Sequence, residues 1–246
     1  MAESGPGKID LFDDFAGPEV PVANAVVYGA SAGFYLGPFS VKGDLVETDT
    51  GVVALAVPSG AVRISGNNEN GKGVALTTDL VFSPSLMGVL TLEARVQMQA
   101  LTTRSLFIGF TDAIANDVAE PLTSVTITHT LTASDLCGFV LDSQLSAATA
   151  WHAVYNGGAT TGQTVSTSTT TGVVAVAAEW DVLRIEIDTN GTARYWINGK
   201  LESTVVGAVS TTVLQGVLVG AFGTEGTASD MDVDYIHVTA NRDWTR

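Results

Sequence analysis

The sequence predicts an all-β chain folded as two stacked antiparallel sheets, with little or no helix. Three observations carry this expectation. Apolar and polar residues alternate with a period of two in several runs, the spacing of a half-buried strand. Asn-Gly pairs lie between such runs, and Asn-Gly favours tight hairpin turns because both residues tolerate positive φ. No stretch of about twelve residues has the 3.6-residue period of an amphipathic helix. Only residues 112–120 have the character of a single short helical turn.

In chain order, residues 1–20 are rich in Gly, Pro and acid and read as an N-terminal arm or entry strand. Strand candidates follow near 26–30, 33–39, 44–48, 51–57, 61–65 and 73–77. Residues 91–98 alternate strictly: Leu92, Ala94, Val96 and Met98 share one face, and Thr91, Glu93, Arg95 and Gln97 the other. Leu106-Phe107-Ile108-Gly109-Phe110 and Val217-Leu218-Val219-Gly220-Ala221-Phe222 are apolar on both faces. Such runs suit central strands buried on both sides. Between them come candidates at 137–142, 151–155 and 173–177. Residues 160–171 hold seven Thr and two Ser, so 157–172 reads as an exposed loop or a partly ordered β excursion.

The best-specified part is a three-stranded meander. Residues 181–188 put Leu183, Ile185 and Ile187 inward. Asn190-Gly191 turns the chain, Ala193-Arg194-Tyr195-Trp196-Ile197 returns, and Asn198-Gly199 turns it again into residues 200–205. Candidates at 213–222 and 231–238 close the chain. So many short strands separated by turn signals indicate a two-sheet sandwich. The 246 residues suit one such domain, running from 21 to 246 after the arm.

Composition narrows the partners. Formal net charge is -15, and the 11 Lys and Arg include no adjacent pair. Nucleic-acid binding needs clustered cations to displace phosphate counterions, so no nucleic-acid partner is expected. No run of about 18 apolar residues occurs, so no membrane span is expected either. The first ten residues lack the basic and apolar regions of a secretory signal, which implies synthesis in a host cytoplasm. Charged residues make up 15% against 46% hydrophobic ones. A surface so thinly charged is explained if other subunits cover part of it, which points to a homo-oligomer. Cys137, the single cysteine, has apolar neighbours and reads as a small buried hydrophobe.

The stretch Trp180-Asp181-Val182-Leu183-Arg184-Ile185-Glu186-Ile187-Asp188, then Asn190-Gly191, then the aromatic strand and Asn198-Gly199-Lys200, resembles concanavalin A-like and laminin-G-like jelly rolls. Asp232-Val233-Asp234-Tyr235-Ile236-His237-Val238 is similar to the last strand of that fold, and Phe12-Asp13-Asp14-Phe15 to its opening strand. The resemblance implies an antiparallel jelly-roll sandwich and no single activity, because that fold hosts lectins, glycanases, adhesion modules and virion proteins. Gly109-Phe110-Thr111-Asp112-Ala113, the closing strand and Asn241-Arg242-Asp243-Trp244-Thr245 further resemble sandwich proteins among the structural genes of tailed bacteriophages. That likeness implies a capsid decoration or cement subunit, often a trimer.

Chemistry is sparse. Glycanases of this fold carry E-x-D-x-x-E on one strand, which lets two acids flank a glycosidic bond. Here Glu179-Trp180-Asp181 is followed by Glu186 at the wrong spacing and on the opposite face from Glu179 and Asp181. Glu186 is expected to pair with an arginine such as Arg194 across the hairpin, or to face solvent. His129, His152 and His237 have no chelating spacing and read as surface or partly buried strand residues. A Ser–His–Asp triad stays open, although no Gly-x-Ser-x-Gly elbow is present. A structural calcium ion is a minor alternative to no cofactor. Asp230, Asp232 and Asp234 alternate on one strand face, too far apart to converge, while Asp13, Asp14, Asp112 and Asp117 could contribute from loops. Trp196 and Arg194 share an outward face, and with Trp151 and Trp244 they are the candidates for an interface or glycan platform.

These features favour a non-enzymatic structural virion protein. It would bind a major capsid protein, self-associate as a homotrimer and reside on the capsid surface. The alternative is a lectin-like module that binds a glycan on a phage or cell surface.

Overall fold

The computed structural model describes residues 7–17, 34–43, 51–66, 68–224 and 226–242. The strand candidates at 26–30 and 44–48, and Trp244 of the candidate platform, lie outside the described residues.

Two sheets of eight strands form the body. The first has the order β16 (Lys200–Val205), β15 (Ala193–Ile197), β14 (Trp180–Ile187), β7 (Leu90–Gln97), β18 (Asp230–Asn241), β5 (Val62–Ser65) and β4 (Gly51–Ala54). Its eighth strand, β1 (Lys8–Asp13), also pairs with the long β18, so within residues 1–20 an entry strand is present at Lys8–Asp13. The second sheet has the order β13 (Thr170–Val174), β12 (Ala150–Asn156), β11 (Leu136–Asp142), β8 (Ser105–Thr111), β17 (Gly216–Phe222), β6 (Gly73–Thr77), β3 (Phe39–Gly43) and β2 (Phe34–Leu36). All pairings in both sheets are antiparallel. The fold is an all-β concanavalin A-like sandwich.

Alternation sets the core. On β7, Leu90, Leu92, Ala94 and Val96 are buried while Thr91, Glu93, Arg95 and Gln97 stay half-exposed. β14 repeats this with Asp181, Leu183, Ile185 and Ile187 inward. From the facing sheet come Ile108, Phe110, Phe139, Trp151 and Val219. Burying such a face is the main driving force of the fold, at about 25 cal/mol per Å² of apolar surface.

β8, β11 and β17 are buried on both faces. Their outer side is covered by residues 112–135, which include the hairpin β9 (Leu122–Val125) and β10 (Thr128–Leu131). Val118, Leu122 and Ala133 from this segment pack on Phe107, Val140, Leu218 and Phe222 to make a second, smaller core. Residues 112–120 are irregular chain, not a helical turn. Their backbone is taken by the neighbouring loop, as in the bond from Glu120 N to Gly71 O at 2.8 Å. The one short α-helix among the described residues is α1 (Pro84–Met87), where Pro84 stands in the first turn and lacks the N–H that a helix start leaves unsatisfied.

The two Asn-Gly turns differ. Asn198 and Gly199 have φ of 51° and 79°, as a two-residue turn matching strand twist requires. At Asn190-Gly191 only Gly191 has positive φ. Here the pairing ends at Ile187–Ala193, and a wider loop closes through Asp188 N to Thr192 O at 2.9 Å.

Candidate functional site

The outer face of the first sheet carries the side chains that alternation excludes from the core. Register aligns them in rows. Trp196 of β15 stands beside Arg184 of β14, Arg184 beside Glu93 of β7, and Glu93 beside His237 of β18. Between β15, β14 and β7 lies a groove of about 320 Å³ lined by Glu93, Val182, Arg184, Glu186, Trp196 and Gly199.

Charges in the groove are paired but not exhausted. The Arg184 guanidinium bonds Glu186 and lies 3.7 Å from Glu93. Tyr235 Oη donates to Glu93 Oε1 at 2.8 Å. Burial first, and then that bond, hold the Tyr235 hydroxyl protonated well above its ordinary range. Arg95 bonds Asp234 at 2.7 Å, and its guanidinium lies 4.8 Å from the Trp180 ring centroid. Two donors in the groove, Arg184 Nε and Trp196 Nε1, are buried and bond no acceptor among the described residues. Buried donors are normally satisfied, so such a pair in one groove calls for an acceptor from outside.

The sequence-predicted residues divide. Trp196 and Arg194 do lie on one outward face, at half exposure. Glu186 does pair with an arginine, but with Arg184 in place of the Arg194 named as the example, which bonds Asp188 at 2.8 Å. Although Glu186 and Arg194 are register partners, Arg184 is two residues from Glu186 on the same strand face and reaches it. Trp151 is not a platform residue. Strand phase turns it inward, where it is fully buried, edge-on to Phe139, and donates to Asp181 Oδ2 at 2.9 Å. Asp181 is thereby a core acceptor that also takes Asn198 Nδ2 at 2.9 Å, while Glu179 is exposed in the preceding turn, so the two acids share no face.

Two histidines correct the expectation of surface or part-buried positions. His129 and His152 are 1% and 0% exposed, with ring centroids 5.8 Å apart. His129 on β10 meets His152 on β12 because the hairpin lies flat on the second sheet. Ser124 Oγ lies 3.0 Å from His129 Nδ1, and Thr169 Oγ1 lies 3.1 Å from its Nε2. Burial lowers the His129 pKa to about 4, so the ring is neutral at neutral pH. The signal for this cluster was the inward phase of Ser124 and His129, hidden by the weak alternation of residues 122–131. Three of the acids considered for calcium are paired with cations of the protein. A bulge at Asp234 breaks the alternation of β18, with Asp232 on Arg63 at 2.7 Å and Asp234 on Arg95. Asp117 pairs with Lys72 at 2.6 Å.

No family model matches the chain, and no curated protein sequence matches it. Solved structures do. A Bacillus licheniformis β-glucanase aligns with a TM-score of 0.54 at 9% identity, over 96% of this chain and 99% of that one. A carbohydrate esterase from the Shiga toxin-encoding bacteriophage phi24B aligns at 0.50 with 16% identity, over 84% and 91%. The carbohydrate recognition domain of Emp46p aligns at 0.50 with 9% identity, over 82% and 87%. At these identities the likeness shows the fold. It also overturns one expectation: the chain was expected to be non-enzymatic, yet the neighbours of this fold are mostly glycosidases, lyases and esterases.

Proposed function

We propose that the groove beside Trp196 recognises an uncharged glycan. The observation that carries this reading is the pair of unpartnered donors, Arg184 Nε and Trp196 Nε1, set between the carboxylates of Glu93 and Glu186. A sugar hydroxyl is both donor and acceptor, so neighbouring hydroxyls can accept from the two donors and give to the two acids. The indole offers an apolar face for a pyranose ring. One arginine against two carboxylates leaves the groove lining net negative, which disfavours acidic sugars. Carbohydrate-directed proteins among the structural neighbours agree with this reading. The test is a glycan array probed with the native protein and with Trp196→Ala. The expected result is binding to neutral glycans that falls at least about tenfold in the variant, equivalent to about 1.4 kcal/mol. Binding left intact in a folded variant would reject the groove.

A second reading, a capsid decoration subunit of a tailed bacteriophage, is favoured by one surface. Leu80, Val81, Leu86, Val89, Val213 and Leu214 are 38–49% exposed on two segments bridged at Phe82 and Gln215. Residues 80–92 and 203–224 contain no charged side chain. With a net charge of -15, copies repel one another except where a face is uncharged. Sedimentation of the native protein against Leu214→Glu, and co-purification with assembled capsids, test this reading.

A further inference from the structure

A second pocket lies on the opposite side of the molecule, between the β9–β10 hairpin, the loop before β6 and the turn after β17. It encloses about 220 Å³. At about 30 Å³ per water that is room for about seven waters, hence for one sugar ring or a short polyol and not for a chain. Its walls are fixed by backbone bonds. Gly71 N donates to Gly223 O at 3.0 Å, Gly223 N to Lys72 O at 2.8 Å, and Thr126 N to Gln144 O at 2.8 Å.

The lining is polar and carries no cation. Asn70, Glu120, Thr123, Ser124, Gln144 and Thr224 contribute side chains, and Val125 is the one large apolar residue. Two of these are buried and incompletely used. Thr224 is 3% exposed, and its hydroxyl has no hydrogen-bond partner among the described residues. Glu120 is 7% exposed. One of its oxygens accepts from Ser105 Oγ, and no bond from the other to a described residue is seen. We propose that this pocket binds one small uncharged polyhydroxylated unit, a monosaccharide or polyol, through the free side of Glu120 and the Thr224 hydroxyl.

The charge of the ligand follows from the surroundings of Glu120. Asp142 on β11 is buried nearby, and its register partner is Ser105 on β8. Among the described residues, the basic groups on the elements around it are engaged elsewhere. Lys72 pairs with Asp117, and the Arg104 guanidinium bonds the carbonyls of Ala100, Thr103 and Ala228. His129 is turned to Ser124 and Thr169. Burial, reinforced by Asp142, raises the Glu120 pKa well above the ordinary carboxyl range. The neutral carboxyl presents an O–H to the pocket. An anionic ligand would meet Asp142 with no cation in the lining. A cationic ligand would require Glu120 to ionise against its desolvation. A hydroxyl meets neither cost.

This site is independent of the Trp196 groove, and its test reads different atoms. D-glucose, D-galactose, D-mannose and glycerol are each titrated into the ¹⁵N-labelled full chain at pH 5, following the amides of Gly71, Gly223 and Thr224. The expected result is that at least one of them shifts these amides. Its affinity should fall roughly tenfold for each pH unit above the raised Glu120 pKa. Glu120→Gln, which keeps a neutral donor, should bind without that pH dependence, and Thr224→Val should weaken binding several-fold. The proposal is overturned if none of these probes shifts those amides in the native protein, or if affinity is indifferent to pH. It is equally overturned if ethanolamine binds there and tightens as pH rises.

Discussion

Tyr195 and Cys137 show how much a single buried polar pair constrains. The Cys137 thiol donates to Tyr195 Oη at 3.2 Å, and Tyr195 in turn donates to Val154 O at 2.8 Å, tying the first sheet to the second. Burial pushes the Cys137 pKa up to about 12. The thiol should therefore stay inert to disulfide reagents in the native protein and react only after denaturation. Tyr195→Phe leaves Val154 O without its donor in the core. It should destabilise the fold by about 1–3 kcal/mol, measured by chemical denaturation. The buried histidine gives a pH prediction. His129 titrates at about 4 in the fold, against about 6.5 unfolded, so the unfolded chain takes up the proton first. Stability due to the neutral ring is present above about pH 6.5 and is lost as pH falls towards 4, by up to about 3 kcal/mol. Asp135 acts in the opposite sense. Burial raises its pKa to about 6, so its contribution falls as pH rises from about 4 to about 6. Denaturation curves of His129→Gln against pH should show a smaller acid loss, the part due to the buried His152 remaining, and those of Asp135→Asn a smaller decline towards neutral pH, the part due to Glu120 remaining. The inward or outward place of Trp196, Arg194 and Glu93 was legible from alternation. Trp151 was not, because its short run has apolar neighbours on both sides and so no visible phase.

At the scale of elements, the meander from β14 to β16 was legible in nearly every residue, since strict alternation and two Asn-Gly turns agree. The β9–β10 hairpin was not. Its inward residues are Leu122, Ser124, His129 and Leu131, half of them polar, and its order comes from lying on a sheet that sequence alone does not bring near. That covering depends on small residues beneath it. Gly109 and Gly138 are register partners on β8 and β11. A Cβ on Gly138 would lie 2.6 Å from the Phe107 ring, which crosses them to reach the second core. Gly138→Ala should therefore cost about 1–3 kcal/mol through overpacking. Leu122→Ala leaves a cavity under the hairpin and should cost about 2–5 kcal/mol. Faster amide exchange through β9 and β10 should accompany that loss.

Across the whole molecule, the two sheets divide the work. The centre of the second, β6, β8, β11 and β17, is buried on both sides by its own chain. The first keeps one face open, and there the paired charges and the aromatic residues gather. The stacking of two sheets was readable because buried and half-exposed residues alternate along strands such as β7, β14 and β15. The covered outer face was not readable, because it arises from contacts distant in sequence. The central claim is that the open face binds a glycan at the unpartnered donors of the Trp196 groove. The most direct measurement is the ¹H–¹⁵N spectrum of the four indole N–H groups during titration with a neutral glycan selected on the array, Trp196→Phe identifying the resonance. The account predicts that the Trp196 indole N–H moves as it gains an acceptor, while that of Trp151, already bonded to Asp181, stays in place. A glycan that binds and leaves the Trp196 resonance unmoved would contradict it.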